Sequence, residues 1–360
     1  MILGGASLLA SPSVAQDNGP TARYWVYVAN ESSDLVSRVR FGPDGLTEEK
    51  TIPVGARPAD LDGAHGIAVA ANGKFWYVSI AHGAPYGSIW KMESGTDVFV
   101  DSVTVGLFPA AMSLTPDASS LFVVNFNLHG NIMPSWVSSV FTPFMNETAQ
   151  IETCIMPHGS RITRDGMTHY STCMMSDQLV EISTTGHRVT RRFRLTDGHE
   201  ALMDLAETAN RAMGAGRCKP TWVVLDPEDE HLYVPCNGRK EVLEIDRSTM
   251  TVRRRFATGA GPYNADVSAD GRYLVVTLKG AQAVAVFDLE TGKETRIETS
   301  QPVTHGVVIS PDSRYAFVSN EAVGATRGTV DVFDLASKTR VASVAVQYQP
   351  GGIGFWKMEQ

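Results

Sequence analysis

The sequence predicts an all-β fold, a seven-bladed β-propeller of four-stranded antiparallel blades around a central channel. Three observations predict it. An internal repeat recurs at intervals of 42 to 48 residues, with one longer interval. Seven copies are visible, and each contains two apolar runs separated by a tight turn, as two neighbouring strands would. A repeat of about 40 to 50 residues with strand-like content is typical of a propeller blade.

One step of the repeat, which we call position X, lies where the chain enters the innermost strand of a blade. A proline directly precedes five of the seven residues at this position. In chain order, position X holds His65, Ala110, His158, Thr221, Tyr263, His305 and Gly351. Asn or Asp follows the apolar run in most copies, because these residues tolerate the backbone of a tight turn. Twelve residues after X, an aromatic residue such as Tyr77 or Phe317 marks the second strand.

The third and fourth strands of a blade are predicted by the hairpins at Val284–Lys293 and Val330–Lys338. The two ends of the chain complete the count of blades. The copy at Tyr24–Asn30 begins at a second strand, and Pro350–Trp356 supplies an innermost strand without its partners. We expect these two segments to pair, because pairing closes the ring and removes open sheet edges.

Two insertions interrupt the repeat within what we expect to be one domain, residues 21–360. Apolar residues at helical spacing predict an amphipathic helix at about 199–213, which accounts for the longer interval. The segment Asn127–Trp136 is predicted to be a loop inserted after the second strand of blade three. Either insertion could cover the channel mouth, contact a partner or pack on the propeller surface.

The segment Pro302–Asn320 carries the repeat in its clearest form, with Asp312 at the turn and Tyr315-Ala-Phe-Val-Ser-Asn320 in the second strand. This pattern resembles the YVTN or YncE-type seven-bladed β-propellers, and the resemblance covers nearly all of residues 21–360. The resemblance implies the fold. It implies little about function, since such propellers serve as enzymes, enzyme subunits, metal carriers and adhesion modules.

Composition and the first residues bear on the compartment. Met1–Ala15 carries no charge and ends in Ser-Val-Ala, which is typical of the apolar region and cleavage site of an export signal peptide. We therefore expect a periplasmic protein. The formal net charge of −8 disfavours nucleic-acid binding. Beyond residue 15, no apolar run approaches the roughly 20 residues of a membrane span, so none is predicted.

The four cysteines form two similar pairs. Cys154 and Cys173 bracket the first two strands of blade four, and Cys218 and Cys236 bracket those of blade five. Both members of a pair lie at the same end of the blade, where strand spacing permits Cα atoms about 5–6 Å apart. In an exported protein we expect the disulfides Cys154–Cys173 and Cys218–Cys236. Free or metal-bound thiols and a bridge between Cys173 and Cys236 are the alternatives.

Three histidines occupy position X, His65, His158 and His305, on blades two, four and seven. This spacing is nearly even around a seven-membered ring, so the three imidazoles should converge at the mouth of the channel. Three imidazoles with an open fourth position suit copper or zinc. Inner-strand histidines are similarly placed in the propellers of nitrous oxide reductase and thiocyanate dehydrogenase, although this chain has fewer of them.

Further site residues are predicted at the same face. His82 and His129 follow second strands, and Tyr263 and Thr221 share position X with the three histidines. Five of the nine histidines precede glycine, which permits close approach of neighbouring groups. A single histidine is more often a hydrogen-bonded filler than a ligand. The remaining histidines are expected at the solvated surface: His169, His187, His199 and His231.

These observations lead to two main hypotheses. In the first, the protein is a periplasmic metal-binding propeller that carries copper or zinc or performs simple copper redox chemistry. In the second, it is a non-catalytic protein-binding module or accessory subunit of a periplasmic complex, with segment 199–213 and the loop Asn127–Trp136 as docking elements. A hydrolase or oxidase activity would follow from fold analogy alone. The chain shows no Ser-His-Asp catalytic motif and no phosphate-binding loop to support such an activity. The sequence therefore leaves open whether the protein is an enzyme.

Overall fold

A computed structural model of the 360-residue chain describes residues 19–56, 60–82, 86–195, 199–200 and 218–360. The described residues form 29 β-strands in seven sheets, and this part of the chain contains no helix. The predicted seven-bladed propeller is therefore confirmed. No helix within the described ranges is long and apolar enough to cross a membrane. The predicted signal peptide at residues 1–15 lies outside them.

The strands of each blade are given from the innermost outward. Blade one contains β29 (Pro350–Glu359), β1 (Arg23–Asn30), β2 (Leu35–Gly42) and β3 (Gly45–Pro53). Blade two contains β4 (Ala64–Val69), β5 (Phe75–Ile80), β6 (Ser88–Glu93) and β7 (Phe99–Thr104). Blade three contains β8 (Pro109–Leu114), β9 (Ser120–Asn125), β10 (Pro134–Phe141) and β11 (Asn146–Ile155). Blade four contains β12 (Pro157–Ile162), β13 (Thr168–Cys173), β14 (Gln178–Ser183), β15 (Arg188–Arg194) and β16 (His199–Glu200).

The remaining three blades follow the same order. Blade five contains β17 (Val224–Leu225), β18 (His231–Cys236), β19 (Glu241–Asp246) and β20 (Thr251–Ala257). Blade six contains β21 (Pro262–Val267), β22 (Tyr273–Leu278), β23 (Ala283–Asp288) and β24 (Glu294–Glu298). Blade seven contains β25 (Thr304–Ile309), β26 (Tyr315–Asn320), β27 (Thr329–Asp334) and β28 (Thr339–Ala345).

The ring closes where the two ends of the chain meet in blade one. The C-terminal strand β29 pairs antiparallel with β1, as predicted, with Tyr27 opposite Gly354. The same strand β1 ties blade one to its neighbours. The hydroxyl of Tyr24 donates to Asp312 of blade seven (2.7 Å), and that of Tyr27 donates to the buried Asp97 of blade two (2.7 Å). Closure thus combines strand pairing with side-chain hydrogen bonds to both adjacent blades.

The core lies between the sheets. The aromatic residues twelve places after position X lie on second strands and are fully or nearly fully buried, and they are Tyr77, Phe122, Tyr170, Tyr233 and Phe317. Each packs with aliphatic side chains of its own and the adjacent blade. Burying one such side chain is worth roughly 1.5–3 kcal/mol, so these residues are a main stabilising element of every blade that has one.

Both predicted disulfides are present. Cys154 and Cys173 have Cα atoms 5.9 Å apart, and Cys218 and Cys236 have Cα atoms 4.5 Å apart. All four cysteines are buried, and the chain has no free cysteine. Cys154 lies in β11, the outermost strand of blade three, and Cys173 ends β13, so the first bridge joins blades three and four rather than lying within blade four. Cys218 precedes β17 and Cys236 ends β18, so the second bridge lies within blade five.

The two predicted insertions differ from expectation at their ends. His199–Glu200 pairs with β15 as a short fifth strand of blade four, so these two residues do not begin a helix. Residues 201–213 of the predicted helix lie outside the described residues. The loop of blade three spans residues 126–133, and Trp136 lies in β10, half-buried, rather than in the loop.

The innermost strands come very close to one another next to position X. A Cβ atom built on Gly66, which follows His65, would lie 2.1 Å from the carbonyl oxygen of Ala110 in blade three. A Cβ on Gly306, which follows His305, would lie 2.6 Å from the carbonyl oxygen of Gly351. The glycines after these histidines are therefore required by the packing of adjacent blades.

A hydroxyl relay joins the blades at the same level. The backbone N–H of Gly66 donates to the Ser79 hydroxyl (2.7 Å), which donates to the carbonyl of Ala110 in the next blade (3.2 Å). Between blades seven and one, Ser319 likewise donates to the carbonyl of Gly351 (2.6 Å). The relay holds the backbone of position X in register around the ring.

We predict that Gly66→Ala lowers the free energy of unfolding by about 1–3 kcal/mol, because the new methyl group would collide with backbone rather than with a movable side chain. Chemical denaturation measures this. Gly259→Ala is the matched control, since the nearest atoms to a Cβ there belong to the side chains of Leu278 and Arg296, at 3.0 and 3.1 Å. Equal stability of the two variants would contradict the prediction.

Candidate functional site

The residues at position X surround the mouth of the channel, as the repeat predicted. His158 and His305 are buried, and His65 is half-buried. The rings form a chain across the mouth. Ring centroids of His65 and His305 are 6.0 Å apart, those of His305 and Tyr263 are 4.6 Å apart, and those of Tyr263 and His158 are 5.4 Å apart. Three blades that are distant in sequence thus place their imidazoles around one space.

His158 is held by hydrogen bonds at both ring nitrogens. Its Nδ1 donates to the carbonyl oxygen of Thr221 (2.7 Å), so Nε2 is the nitrogen without a proton and accepts from the Tyr263 hydroxyl (2.9 Å). Burial, the charge of His65 and that of Lys279 lower the pKa of His158 to about 3, against the bond to Thr221. The imidazole is neutral at physiological pH, and its orientation is set by the backbone of blade five.

His305 lies in a similar environment but with fewer partners. Burial lowers its pKa well below the ordinary value, and the neighbouring charge of Lys279 adds to this effect. Its Nε2 lies 3.5 Å from a carboxylate oxygen of Glu321, which also accepts from Lys279 (2.7 Å). Its Nδ1 is buried and has no hydrogen-bond partner among the described residues. His305 is therefore a neutral imidazole with spare hydrogen-bonding capacity.

Glu31 joins His65 to His82. One carboxylate oxygen of Glu31 lies 2.8 Å from Nδ1 of His65, and the other lies 2.8 Å from Nε2 of His82. Burial of Glu31 opposes its ionisation, but the charges and hydrogen bonds of the two histidines outweigh burial and hold its pKa below the usual range. The bond to Glu31 raises the pKa of His82, ahead of the opposing effect of burial. This side of the mouth is ionic.

Apolar rings of blade three pack against these histidines. The ring centroid of Phe108 lies 5.0 Å from that of His82, 5.2 Å from that of His65 and 5.5 Å from that of His129. His129 also packs on His82, at 5.4 Å between centroids. Phe126 contacts His158, at 4.8 Å between centroids. The predicted residues His82 and His129 therefore lie at the rim, beside the three histidines of position X.

Thr221 has a structural part at this level. It is fully buried, and its hydroxyl donates to the backbone carbonyl of Tyr263 (2.6 Å). Its own carbonyl accepts from His158. Thr221 thus continues the chain of contacts from blade four to blade six, and its hydroxyl is already occupied.

Two charged residues at the mouth, Glu31 and Lys279, were not predicted, and Glu321 lies with them. All three stand at one step of the repeat, sixteen residues after position X, counting Glu31 from the pairing of β1 with β29. In the other blades this step holds Ala81, Phe126, Met174 and Asn237. Superposing the repeats at this second step would have identified them.

His169 corrects an expectation. The prediction that it lies at the solvated surface is wrong, because it is fully buried in β13 and stacks on Phe122, with centroids 5.4 Å apart. It shares a hydrogen bond with the Ser160 hydroxyl (2.8 Å). Burial lowers its pKa to about 3. His187, in contrast, is exposed as predicted.

The metal-binding geometry is incomplete. Among the described residues, no group of three or more His, Cys, Asp or Glu side chains is gathered at metal-binding distances. Two imidazoles on one tetrahedral ion have ring centroids roughly 5 Å apart. The 6.0 Å between the rings of His65 and His305 is close to this value. His158 is farther along the chain of rings, with the Tyr263 hydroxyl on its free nitrogen.

At the level of sequence, known proteins match little of this chain. No protein-family model matches the sequence. Antigen Lp49 of Leptospira interrogans is 34% identical over 16% of this chain and 16% of its own length. This chain therefore matches only a small part of that protein.

Solved structures match over most of the chain. Hydrazine synthase of Kuenenia stuttgartiensis has a TM-score of 0.66 and 19% identity, over 83% of this chain and 92% of that one. The periplasmic gluconolactonase of Pseudomonas aeruginosa has a TM-score of 0.68 and 15% identity, over 93% and 99%. At these identities the likeness shows the fold alone. The chain is a seven-bladed β-propeller with a histidine-rich channel mouth.

We predict that His169→Gln makes stability less dependent on pH. A folded-state pKa of about 3, against 6.5 ordinarily, means that the unfolded chain binds the proton first as pH falls. Stability is thus full above pH 6.5 and declines toward pH 3, with this residue supplying at most about 1.4 kcal/mol per pH unit. Denaturant titrations between pH 7 and 4 measure the slope, and exposed His187→Gln is the control. An unchanged slope in His169→Gln would contradict the prediction.

Proposed function

We propose that the channel mouth binds one copper or zinc ion through His65, His158 and His305, and that the protein carries this ion or performs simple redox chemistry with copper. The observation that carries the proposal is the convergence of three imidazoles from position X with two of them neutral. A neutral imidazole has the lone pair that a metal ion needs, so binding requires no loss of a proton from His158 or His305.

The hydrogen bonds around the rings support this proposal. Metal-binding histidines usually donate their other ring N–H to a carbonyl or a carboxylate, which sets the ring orientation. His158 makes such a bond to the carbonyl of Thr221, and His65 makes one to the carboxylate of Glu31. Nε2 is then the ligand atom in both residues. Tyr263 must turn its hydroxyl away from His158 or join the ligand set.

Metal retention tests the proposal. Purified protein is loaded with Cu(I), Cu(II) or Zn(II), desalted, and analysed for bound metal. We predict about one ion per chain and a loss of at least about tenfold in affinity for His158→Ala, since even outer partners of metal ligands are worth roughly 10–100-fold. His187→Ala is the control, because it removes an exposed histidine.

A Tyr263→Phe variant distinguishes a site of three histidines from a site that also includes the tyrosine oxygen. Tyr263→Phe frees Nε2 of His158, so it should retain metal if the three histidines are the ligands and lose it if the tyrosine oxygen is one. Protein that retains no metal, or a His158→Ala variant that retains as much as the native chain, would contradict the proposal.

The alternative is a non-catalytic binding module or accessory subunit. The exposed side chains of Leu128, Ile132 and Met133 in the loop of blade three support it, because they lie at the face of the mouth and suit a protein interface. Co-purification of a partner from periplasm, lost on shortening residues 127–133, would favour this alternative. The gluconolactonase among the similar structures makes lactone hydrolysis a simple activity to assay in parallel.

Export to the periplasm completes the proposal. Two disulfides support it, since disulfides persist in oxidising compartments. The uncharged segment Met1–Ala15 and the periplasmic location named for one similar structure agree with it. Fractionation of cells that express the chain with its first residues intact tests the location.

A further inference from the structure

A cavity of about 60 Å³ lies within the channel and directly beneath the histidines of the mouth. Residues of all seven blades line it. One water needs roughly 10–15 Å³ measured in this way, so the cavity has room for several waters or a molecule of a few heavy atoms. We call it the channel cavity.

Apart from the histidines, Arg161 is the only ionisable residue among the described residues that line the channel cavity. Its guanidinium group lies over the indole ring of Trp222, 5.2 Å from the centroid. Its one hydrogen bond within the described residues is to the carbonyl of Ser160, at 3.2 Å. A guanidinium group has five N–H donors, so most of them remain available.

The nearest opposite charge lies elsewhere. Asp266 acts on Arg161 electrostatically but makes no ion pair with it, and its carboxylate accepts from the backbone N–H of Ile309 (2.9 Å). Asp266 lines a separate cavity of about 280 Å³ toward the other end of the channel, which Arg161 also borders. Among the described residues, no carboxylate lines the channel cavity itself.

Three other polar atoms around the channel cavity lack partners among the described residues. They are Nε1 of Trp222, Oδ1 of Asn264 and Nδ1 of His305. Asn264 is 4% exposed and His305 is 5% exposed, so neither side chain has bulk water to satisfy it. The amide of Asn264 can present either its oxygen or its N–H₂ group. Buried polar atoms without partners are costly, which favours a bound polar ligand.

We propose that the channel cavity binds a small planar oxyanion, such as a carboxylate group or nitrate, against the guanidinium of Arg161. Planar oxyanions match the fork of N–H donors that guanidinium presents, and the stacking on Trp222 holds that fork in one plane. The indole N–H of Trp222 and the amide of Asn264 supply further donors. The ligand would lie beneath the three imidazoles, where it can meet whatever the mouth binds.

The inference does not rest on the metal proposal, and its test uses metal-free protein. Full-length protein treated with chelator is titrated with formate, acetate or nitrate at constant ionic strength, by calorimetry and by tryptophan fluorescence. Acetamide is the neutral control for acetate. We predict saturable binding of at least one anion and no comparable binding of acetamide. Arg161→Gln should weaken the anion by about tenfold or more, the usual size of one charged hydrogen bond.

Two further variants keep the test decisive. Arg164→Gln removes an exposed arginine three residues away that does not line the channel cavity, and should bind as the native chain does. Trp222→Phe keeps a ring but removes the N–H donor, and should bind more weakly by calorimetry even if Arg161→Gln fails to fold. Absence of saturable binding, equal binding by Arg161→Gln, or binding of acetamide as tight as that of acetate would overturn the proposal. None of these three outcomes affects the measurement of bound metal, because that measurement uses no added anion.

Discussion

The close approach of neighbouring innermost strands at the channel axis is the constraint on which the rest of this structure depends. Carbonyl oxygens of one strand lie so near the next that the residue after His65 and His305 has no room for a Cβ atom. Hydroxyls such as that of Ser79 then bridge the blades at the same level. Because protein interiors are close-packed, this backbone ring is rigid, and side chains at position X take defined places around the mouth.

The mouth has a charged part and an apolar part. Blades six, seven and one contribute Lys279, Glu321 and Glu31, whereas blade three contributes Phe108 and Phe126. The buried imidazoles lie beside both parts and stay neutral, since a buried charge without a partner would cost more than a neutral ring bonded to a carbonyl. The same division leaves one cation, Arg161, inside the channel with much of its hydrogen-bonding capacity unused by the described residues.

The backbone of this propeller matches structures with different printed names, hydrazine synthase and gluconolactonase among them, at identities of 19% and 15%. A shared ring of strands therefore does not define what the mouth does, because function depends on the side chains and loops grafted on it. In this chain the side chains at the mouth come largely from two steps of the repeat, position X and the step sixteen residues later. Both steps point into the same space, so changing a few residues there would change the chemistry without disturbing the blades.

The sequence by itself determined the number of blades, the pairing of its two ends, both disulfides and the ring position of His65, His158 and His305, because all of these follow from the spacing of local patterns along the chain. Only the tertiary structure decided the partners. It placed Glu31 between two histidines, gave the Tyr263 hydroxyl to His158 and buried His169 against Phe122. These contacts join side chains of different blades, and no local periodicity specifies which side chains meet when the ring closes.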